Sequence, residues 1–190
     1  MTWPVLASAA AFAGAGTAIG FRKLDYEAIP KTGILSAAFF VASLIHVPIG
    51  PSNVHLILNG LLGMMLGWAA FPAILVALVL QAIFFQYGGI TTLGVNTLIM
   101  ALPAVACYYL FYPFLRAKPA VYLSAGFACG AVSVFLSGVL VGAVLVFSQQ
   151  HFLEVAILVV SAHLPVMIVE GIITLFCVGF LKKVQPLMLQ

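Results

Sequence analysis

His46-Val47-Pro48-Ile49-Gly50-Pro51-Ser52-Asn53-Val54-His55 sets two imidazoles on either side of a Pro-Ile-Gly-Pro turn. It interrupts a chain that is otherwise almost uncharged. Of 190 residues, 65% are hydrophobic and 6% charged, and the mean hydropathy is +1.26, outside the range of soluble domains. A hydrocarbon core about 30 Å thick takes roughly 20 apolar residues of helix, and several uninterrupted stretches around this motif are that long. Only helices and closed barrels satisfy their backbone groups in lipid. The apolar runs are continuous rather than alternating, so the sequence predicts helices. The expected fold is an all-α integral membrane protein, with residues 1–190 as a single polytopic membrane domain.

Working outward from the motif, seven helical segments can be drawn. They cover about Pro4 to Phe21, Gly33 to Val47, Asn53 to Trp68, Pro72 to Tyr87, Val95 to Leu115 and Val121 to Phe147. A last helix runs from about Leu164, after a short interfacial piece that ends at Ala162. Proline favours the first turn of a helix, which is the reason for a break at His163-Leu164-Pro165. Arg22, Lys23 and Lys31 follow the first segment, Arg116 and Lys118 the fifth, and Lys182 and Lys183 the seventh. With seven spans these loops share one side, which the positive-inside rule makes cytoplasmic. The N-terminus is then outside, the C-terminus is cytoplasmic, and Trp68 is an interfacial anchor on the inner side. Met1-Thr2-Trp3-Pro4 lacks the basic start and small-residue cleavage site of a removed signal, so the first helix is expected to stay.

On this topology all four histidines fall in the outer half. His46 ends the second helix, His55 opens the third with Asn59 a turn below, His151 lies in the loop after the sixth, and His163 stands where the seventh begins. Neutral imidazole is a ligand for cobalt, nickel, copper and zinc. Amides orient such a ring by bonding its other nitrogen, a role open to Asn53, Gln86 and Asn96. His55 and His46 are therefore the candidate metal ligands, with His46 alternatively capping its helix or supporting a neighbour. His151 reads as a hydrogen-bonded surface residue.

Glu170 lies in an apolar run, and a buried carboxylate costs several kcal/mol unless it is paired. It is either a coupling residue or a hydrogen-bonding anchor between helices, and His163 shares those structural or coupling readings. Gly60, Gly63 and Gly67 make a close-packing face. Met64, Met65 and Met100 read as packing, and Cys107, Cys129 and Cys177, with no CxxC pairing, as small buried hydrophobes.

Absent motifs narrow the function. There is no Walker A loop, no HExxH, no GxSxG and no pair of membrane-buried acids resembling an aspartyl dyad. An enzyme is not indicated, and four acids in total leave little for proton coupling. A transporter of this kind needs partners that supply energy. The alternative from another class is a membrane redox protein that holds haem between two histidines.

Several longer stretches carry a resemblance: residues 42–56, with Ala42-Ser43-Leu44-Ile45 leading into the motif and Leu56 closing it; Leu58-Asn59-Gly60-Leu61-Leu62-Gly63; Gln81 to Asn96; His163-Leu164-Pro165; and Val169-Glu170-Gly171. Together they resemble the CbiM/NikM family, the substrate-binding membrane components of energy-coupling-factor transporters for cobalt or nickel. The resemblance implies import of Co²⁺ or Ni²⁺ as the transported ligand, with no resident cofactor and no ATPase of its own, in the plasma (inner) membrane of a prokaryote. Cobalt would feed cobalamin synthesis and nickel would feed nickel enzymes. It also implies a transmembrane coupling protein of the CbiQ/NikQ type, an ATPase of the CbiO/NikO type and a small CbiN-like subunit. Family members typically begin with Met-His-Ile-x-Asp/Glu-Gly, whose amine, backbone and imidazole help enclose the metal. That segment is missing from Met1-Thr2-Trp3-Pro4, so only His55 carries over as a ligand, and the short metal-binding segment is expected upstream. A square-planar nitrogen site would suit Ni(II), whereas Co(II) tolerates more geometries; the residues leave both open.

Overall fold

The structure, a computed structural model, describes residues 2–49, 52–148 and 153–189. In chain order these form α1 (Trp3–Arg22), α2 (Ile29–Ala42), β1 (His46–Ile49), β2 (Ser52–His55), α3 (Asn59–Leu66), α4 (Ala70–Phe85), α5 (Leu93–Phe111), α6 (Pro119–Ser148) and α7 (Leu153–Val184). Short 3-10 turns at Gly67–Ala69 and Tyr112–Arg116 join α3 to α4 and extend α5. Among the described residues, five helical stretches are long and apolar enough to cross a membrane: Trp3–Arg22, Asn59–Phe85, Leu93–Arg116, Pro119–Ser148 and Ile157–Val184. The protein is a helical, multi-pass membrane protein. Phe12, Phe84, Phe147 and Phe176 are each more than 60% exposed, an apolar exterior that hydrocarbon tolerates and water does not.

The stretch Asn59–Phe85 is not one straight rod. As a single helix its 27 residues would span about 40 Å, yet Ile57 before α3 and Tyr87 after α4 line the same cavity. The chain reverses at Gly67, where φ is +53°, a backbone conformation that suits glycine. α3 then returns through the centre of the bundle with Asn59 to Met65 all buried, and small residues make that possible. A side chain at Gly60 would come within 2.5 Å of Ser133 Oγ on α6, and one at Gly63 would strike the Ala104 backbone on α5. The close-packing reading of the glycine run thus holds at Gly60 and Gly63. Met64 and Met65 are buried in the same core, and Met100 packs on it.

Lys23, just past α1, and Lys31, in the first turn of α2, meet the α3–α4 turn and Tyr112 around one recess at the end of the bundle away from His55. There Lys23 Nζ stands 5.3 Å over the Trp68 ring, whose Nε1 donates to Tyr109 Oη at 2.9 Å.

Two expectations fail. α2 stops at Ala42 and α3 starts at Asn59, so His46 does not end a helix, His55 does not open one, and Asn59 is not a helical turn below it. The intervening chain is an antiparallel hairpin in which His46 pairs with His55 and Val47 with Val54. Pro48 explains this, since it donates no hydrogen bond and pushes Val47 toward extended backbone; flanking β-branched residues suit a strand. Second, α7 is continuous through Pro165, which places His163 inside the helix rather than at its start. Pro165 is exposed on the outside of the bundle, and α7 packs along the length of α6, so one missing backbone bond does not end the helix.

Gly63→Val should lower the thermal stability of the detergent-solubilised protein by about 1–3 kcal/mol or more, because the overpacked side chain meets backbone. Gly33→Ala, which meets nothing within 4 Å, should leave it within about 1 kcal/mol of wild type. Equal melting of Gly63→Val and the parent chain would disprove the close α3–α5 contact.

Candidate metal site

At the end of the bundle opposite Lys23 lies a cavity of about 410 Å³. Its polar walls come from six elements: His55 of β2, Ser43 beyond α2, Gln81 of α4, Asn96 of α5, Ser137 of α6 and His163 of α7. No acid lines it among the described residues, and among them no group of three or more His, Cys, Asp and Glu side chains converges. The donors on offer are two imidazoles among neutral amides and hydroxyls. This set suits late first-row divalent ions, and does not suit calcium or magnesium, which take carboxylate and carbonyl oxygens.

The state of each ring follows from its neighbours. His55 is half-buried, and its Nδ1 lies 3.1 Å from the Leu56 carbonyl. A carbonyl can only accept, so Nδ1 carries a proton, and in the neutral ring the lone pair is then on Nε2. His163 repeats the arrangement, with Nδ1 2.7 Å from the Val159 carbonyl one turn back. Other polar side chains of the cavity are held in hydrogen-bonded pairs. Gln81 Nε2 donates to Ser43 Oγ at 2.7 Å, which donates to the Phe40 carbonyl at 2.6 Å. Asn59 Nδ2 donates to Ser137 Oγ at 2.9 Å, which donates to the Ile99 carbonyl at 3.0 Å.

His55 is held from behind. Between β2 and α3 the chain is neither helix nor strand, and Leu58 adopts the left-handed conformation, φ 51°, uncommon for a branched residue. The fully buried carboxylate of Glu170 on α7 grips this turn. Its Oε1 accepts the Ile57 N–H and the Leu58 N–H at 3.0 Å, while Oε2 lies 3.1 Å from the Leu58 nitrogen. Two converging amides replace the water that the carboxylate gives up, and they fix the backbone two and three residues beyond His55. Glu170 is thus an anchor, and what it anchors is a loop rather than a second helix.

Of the residues that the sequence put forward, the cavity gathers His55, Asn96 and His163. Gln86 does not line it; it is exposed and ends α4 in the left-handed conformation with its N–H on the Gln81 carbonyl. His46 is the backbone partner of His55; its side chain and that of Asn53 lie outside the described residues, as does His151. The sequence reading overlooked Gln81, Ser43 and Ser137. For Gln81 a signal was present, because it is the lone polar side chain in α4. Cys129 is buried with its Sγ 3.3 Å from the Gly60 carbonyl, which fits its reading as a small hydrophobe.

The family model of the cobalt uptake substrate-specific transmembrane region, CbiM, matches residues 1–188. The chain is 44% identical over 186 residues to a Haemophilus influenzae protein provisionally named for metal transport, covering 96% of this chain and 90% of that one. It is 43% identical over 96 residues to the fused nickel transport protein NikMN of Rhodobacter capsulatus, covering 46% of this chain and 28% of that one. The fold is similar to the crystal structure of a truncated transition metal transporter, with a TM-score of 0.74, 26% identity, and coverage of 96% of this chain and 95% of the other.

Removing the grip on the Ile57–Leu58 turn should be costly. Glu170→Ala leaves two buried amides without their acceptor and should destabilise the protein by roughly 3 kcal/mol or more; Glu170→Gln, which keeps one acceptor oxygen, should cost less. Hydrogen exchange at Ile57 and Leu58 should accelerate most in Glu170→Ala. Unchanged protection at those two amides would rule out the anchoring role.

Proposed function

Because the chain belongs to the CbiM family of cobalt uptake substrate-specific transmembrane regions, we propose that it is the ion-binding membrane component of an energy-coupling-factor importer for Co²⁺ or Ni²⁺. One observation carries the reading: His55 lines a cavity without described acids, and its contact with the Leu56 carbonyl puts the lone pair of the neutral ring on Nε2, the form in which imidazole binds a metal. His55 is the assigned ligand, with His46 in a lesser, supporting role. Asn96, its Nδ2 3.5 Å from both the Gly88 carbonyl and Thr92 Oγ1, helps to shape the wall. Asn53 and Gln86 are assigned supporting duty outside the ion's contacts. Remaining coordination positions fall to water or to donors beyond the described residues.

The proposed topology has seven crossings, with the N-terminus outside and the C-terminus cytoplasmic in the plasma (inner) membrane of a prokaryote. Reversal at Gly67 supports a count in which β2, the Ile57–Leu58 turn and α3 together make one pass and α4 the next, since the eight residues of α3 alone extend only about 12 Å. The recess shared by Lys23, Lys31 and Tyr112 supports one basic end, opposite the cavity. Binding gives no direction by itself; a cycle needs a partner that changes the relative free energies of outward and inward states. In a chain without a nucleotide-binding motif, that task belongs to an ATPase of the CbiO/NikO type acting through a CbiQ/NikQ-type coupling protein. A relative named as a fused NikMN protein supports a small CbiN-like partner as well. The chain itself catalyses no reaction.

Calorimetry on the purified protein tests the ion site. His55→Ala should weaken Co²⁺ and Ni²⁺ binding by roughly 100-fold or more, because it removes a directly bound nitrogen, while His46→Ala should cost about tenfold. Undiminished binding by His55→Ala would refute the assignment, and a Soret band in the purified protein would mark a haem protein instead. Topology is checked separately: cysteines placed beside Lys23 or Arg116 should react only from the cytoplasmic side, and one placed beside His151 only from outside.

A further inference from the structure

We propose that the recess at the basic end of the bundle binds the phosphate of an anionic phospholipid. The proposal concerns the end opposite the cavity and stands independently of the ion site. The recess has a volume of about 250 Å³, and its polar walls include Lys23, Lys31, Asp25, Tyr108 and Tyr112.

Lys31 is the residue that calls for a ligand. It is half-buried, and burial acts on its ammonium with no carboxylate offsetting the cost among the described residues. It stands in the first turn of α2, which contains no acid and has no side-chain cap. The helix dipole makes that end positive, so a cation there is disfavoured twice over. Lys23 adds a second ammonium, placed over the Trp68 ring, a contact that leaves its charge uncancelled. Asp25 is exposed and balances one of the two lysines, which leaves the recess with an excess of positive charge.

The surroundings favour a lipid as the source of the anion. Trp68 donates to Tyr109 beside Lys23, and side chains with an apolar body and a polar tip settle at headgroup depth. Phe21 and Phe114, close in sequence to Lys23 and Tyr112, are exposed and give the recess an apolar rim. Leu66 in its wall suits the glycerol and first methylenes of a lipid better than a fully hydrated anion. Phosphate oxygens accept from ammonium and phenol alike, and Tyr108 and Tyr112, whose rings lie 4.7 Å apart, bring two phenols to the same space. Basic pockets between membrane helices on the cytoplasmic side hold anionic head groups, and on the proposed topology this end is cytoplasmic. A lipid seated there joins the start of α2 to the α3–α4 turn and the end of α5.

The full chain, purified in detergent, is titrated with phosphatidylglycerol, phosphatidylcholine or inorganic phosphate; bound lipid is counted by native mass spectrometry and stability is followed by melting. Phosphatidylglycerol should be retained and should raise the melting temperature, and phosphatidylcholine at the same concentration should do neither. Lys31→Gln and Lys23→Gln should each weaken retention about fivefold, whereas Lys31→Arg should keep most of it. Lys118→Gln, at the same end but outside the recess, should stay within about twofold of the parent chain. If Lys31→Gln does not fold, Lys23→Gln carries the comparison. Equal retention of the two lipids, or equal losses from Lys118→Gln and Lys31→Gln, would overturn the site. Stabilisation by inorganic phosphate without retention of phosphatidylglycerol would overturn the lipid assignment in favour of a soluble phosphate ligand.

Discussion

A backbone that leaves the helix inside a bilayer must find partners for its amides within the protein; Leu56 finds the Ile45 carbonyl, and Ile57 and Leu58 find the carboxylate of Glu170. Everything at the cavity end depends on this bond set. Leu58 in the left-handed conformation turns the chain from β2 into α3, and a leucine stays there only where its surroundings hold it. Once turned, α3 runs into the middle of the bundle, with Gly60 and Gly63 letting it lie against α6 and α5. Were the turn released, His55 would lose its position and α3 its entry point together. A local hydrogen bond, a backbone conformation and the packing of three helices are therefore one structural decision.

The same arrangement governs the electrostatics of the proposed ion site. A carboxylate 4 Å from a divalent ion contributes on the order of 8 kcal/mol at an effective dielectric near 20, enough to make an ion hard to release. Glu170 faces the backbone of Ile57 and Leu58 instead of lining the cavity, so its charge is spent on architecture. Imidazole lone pairs then do the selecting, since they favour cobalt and nickel over the abundant hard cations. In an importer, a site that selects strongly but binds without a full countercharge can be emptied by a modest rearrangement.

How much of this the sequence disclosed varies by element. Apolar length and the basic loops placed most helices within a few residues, because those signals are additive along the chain and need no tertiary knowledge. The glycines of Gly60-Leu61-Leu62-Gly63 pointed to close contact, since a missing side chain has few other uses in a membrane helix. The hairpin was hidden: a short run such as His46-Val47-Pro48-Ile49 reads equally well as the end of a helix, and only its pairing with Ser52-Asn53-Val54-His55 decides between them. Pro165 misled in the opposite sense, because packing on α6 outweighs the loss of one backbone bond. Glu170 was recognised as an expensive group without its partner being visible, as Ile57 N–H and Leu58 N–H are more than a hundred residues away in sequence. Gln81 is marked only by being the lone polar side chain within α4, whereas Gln86 ends that helix, where a polar residue is ordinary.

α7 is where these pieces come together. Its 32 residues extend about 48 Å, longer than a hydrocarbon core, so one helix reaches from the cavity to the basic end, where Lys182 Nζ stands 5.9 Å from the Tyr122 ring centre. His163 and Glu170 lie on it two turns apart, and Pro165 falls between them. The proline removes one backbone hydrogen bond at that point, which makes it the place where the helix bends at least cost. The segment bearing Glu170 is fixed to the Ile57–Leu58 turn by two amides, while the segment bearing His163 packs beside Gly138 of α6. In the proposed cycle, a force applied at the basic end passes along α7 toward the cavity, with Pro165 the point where the helix yields most readily and Glu170 keeping its hold on the Ile57–Leu58 turn.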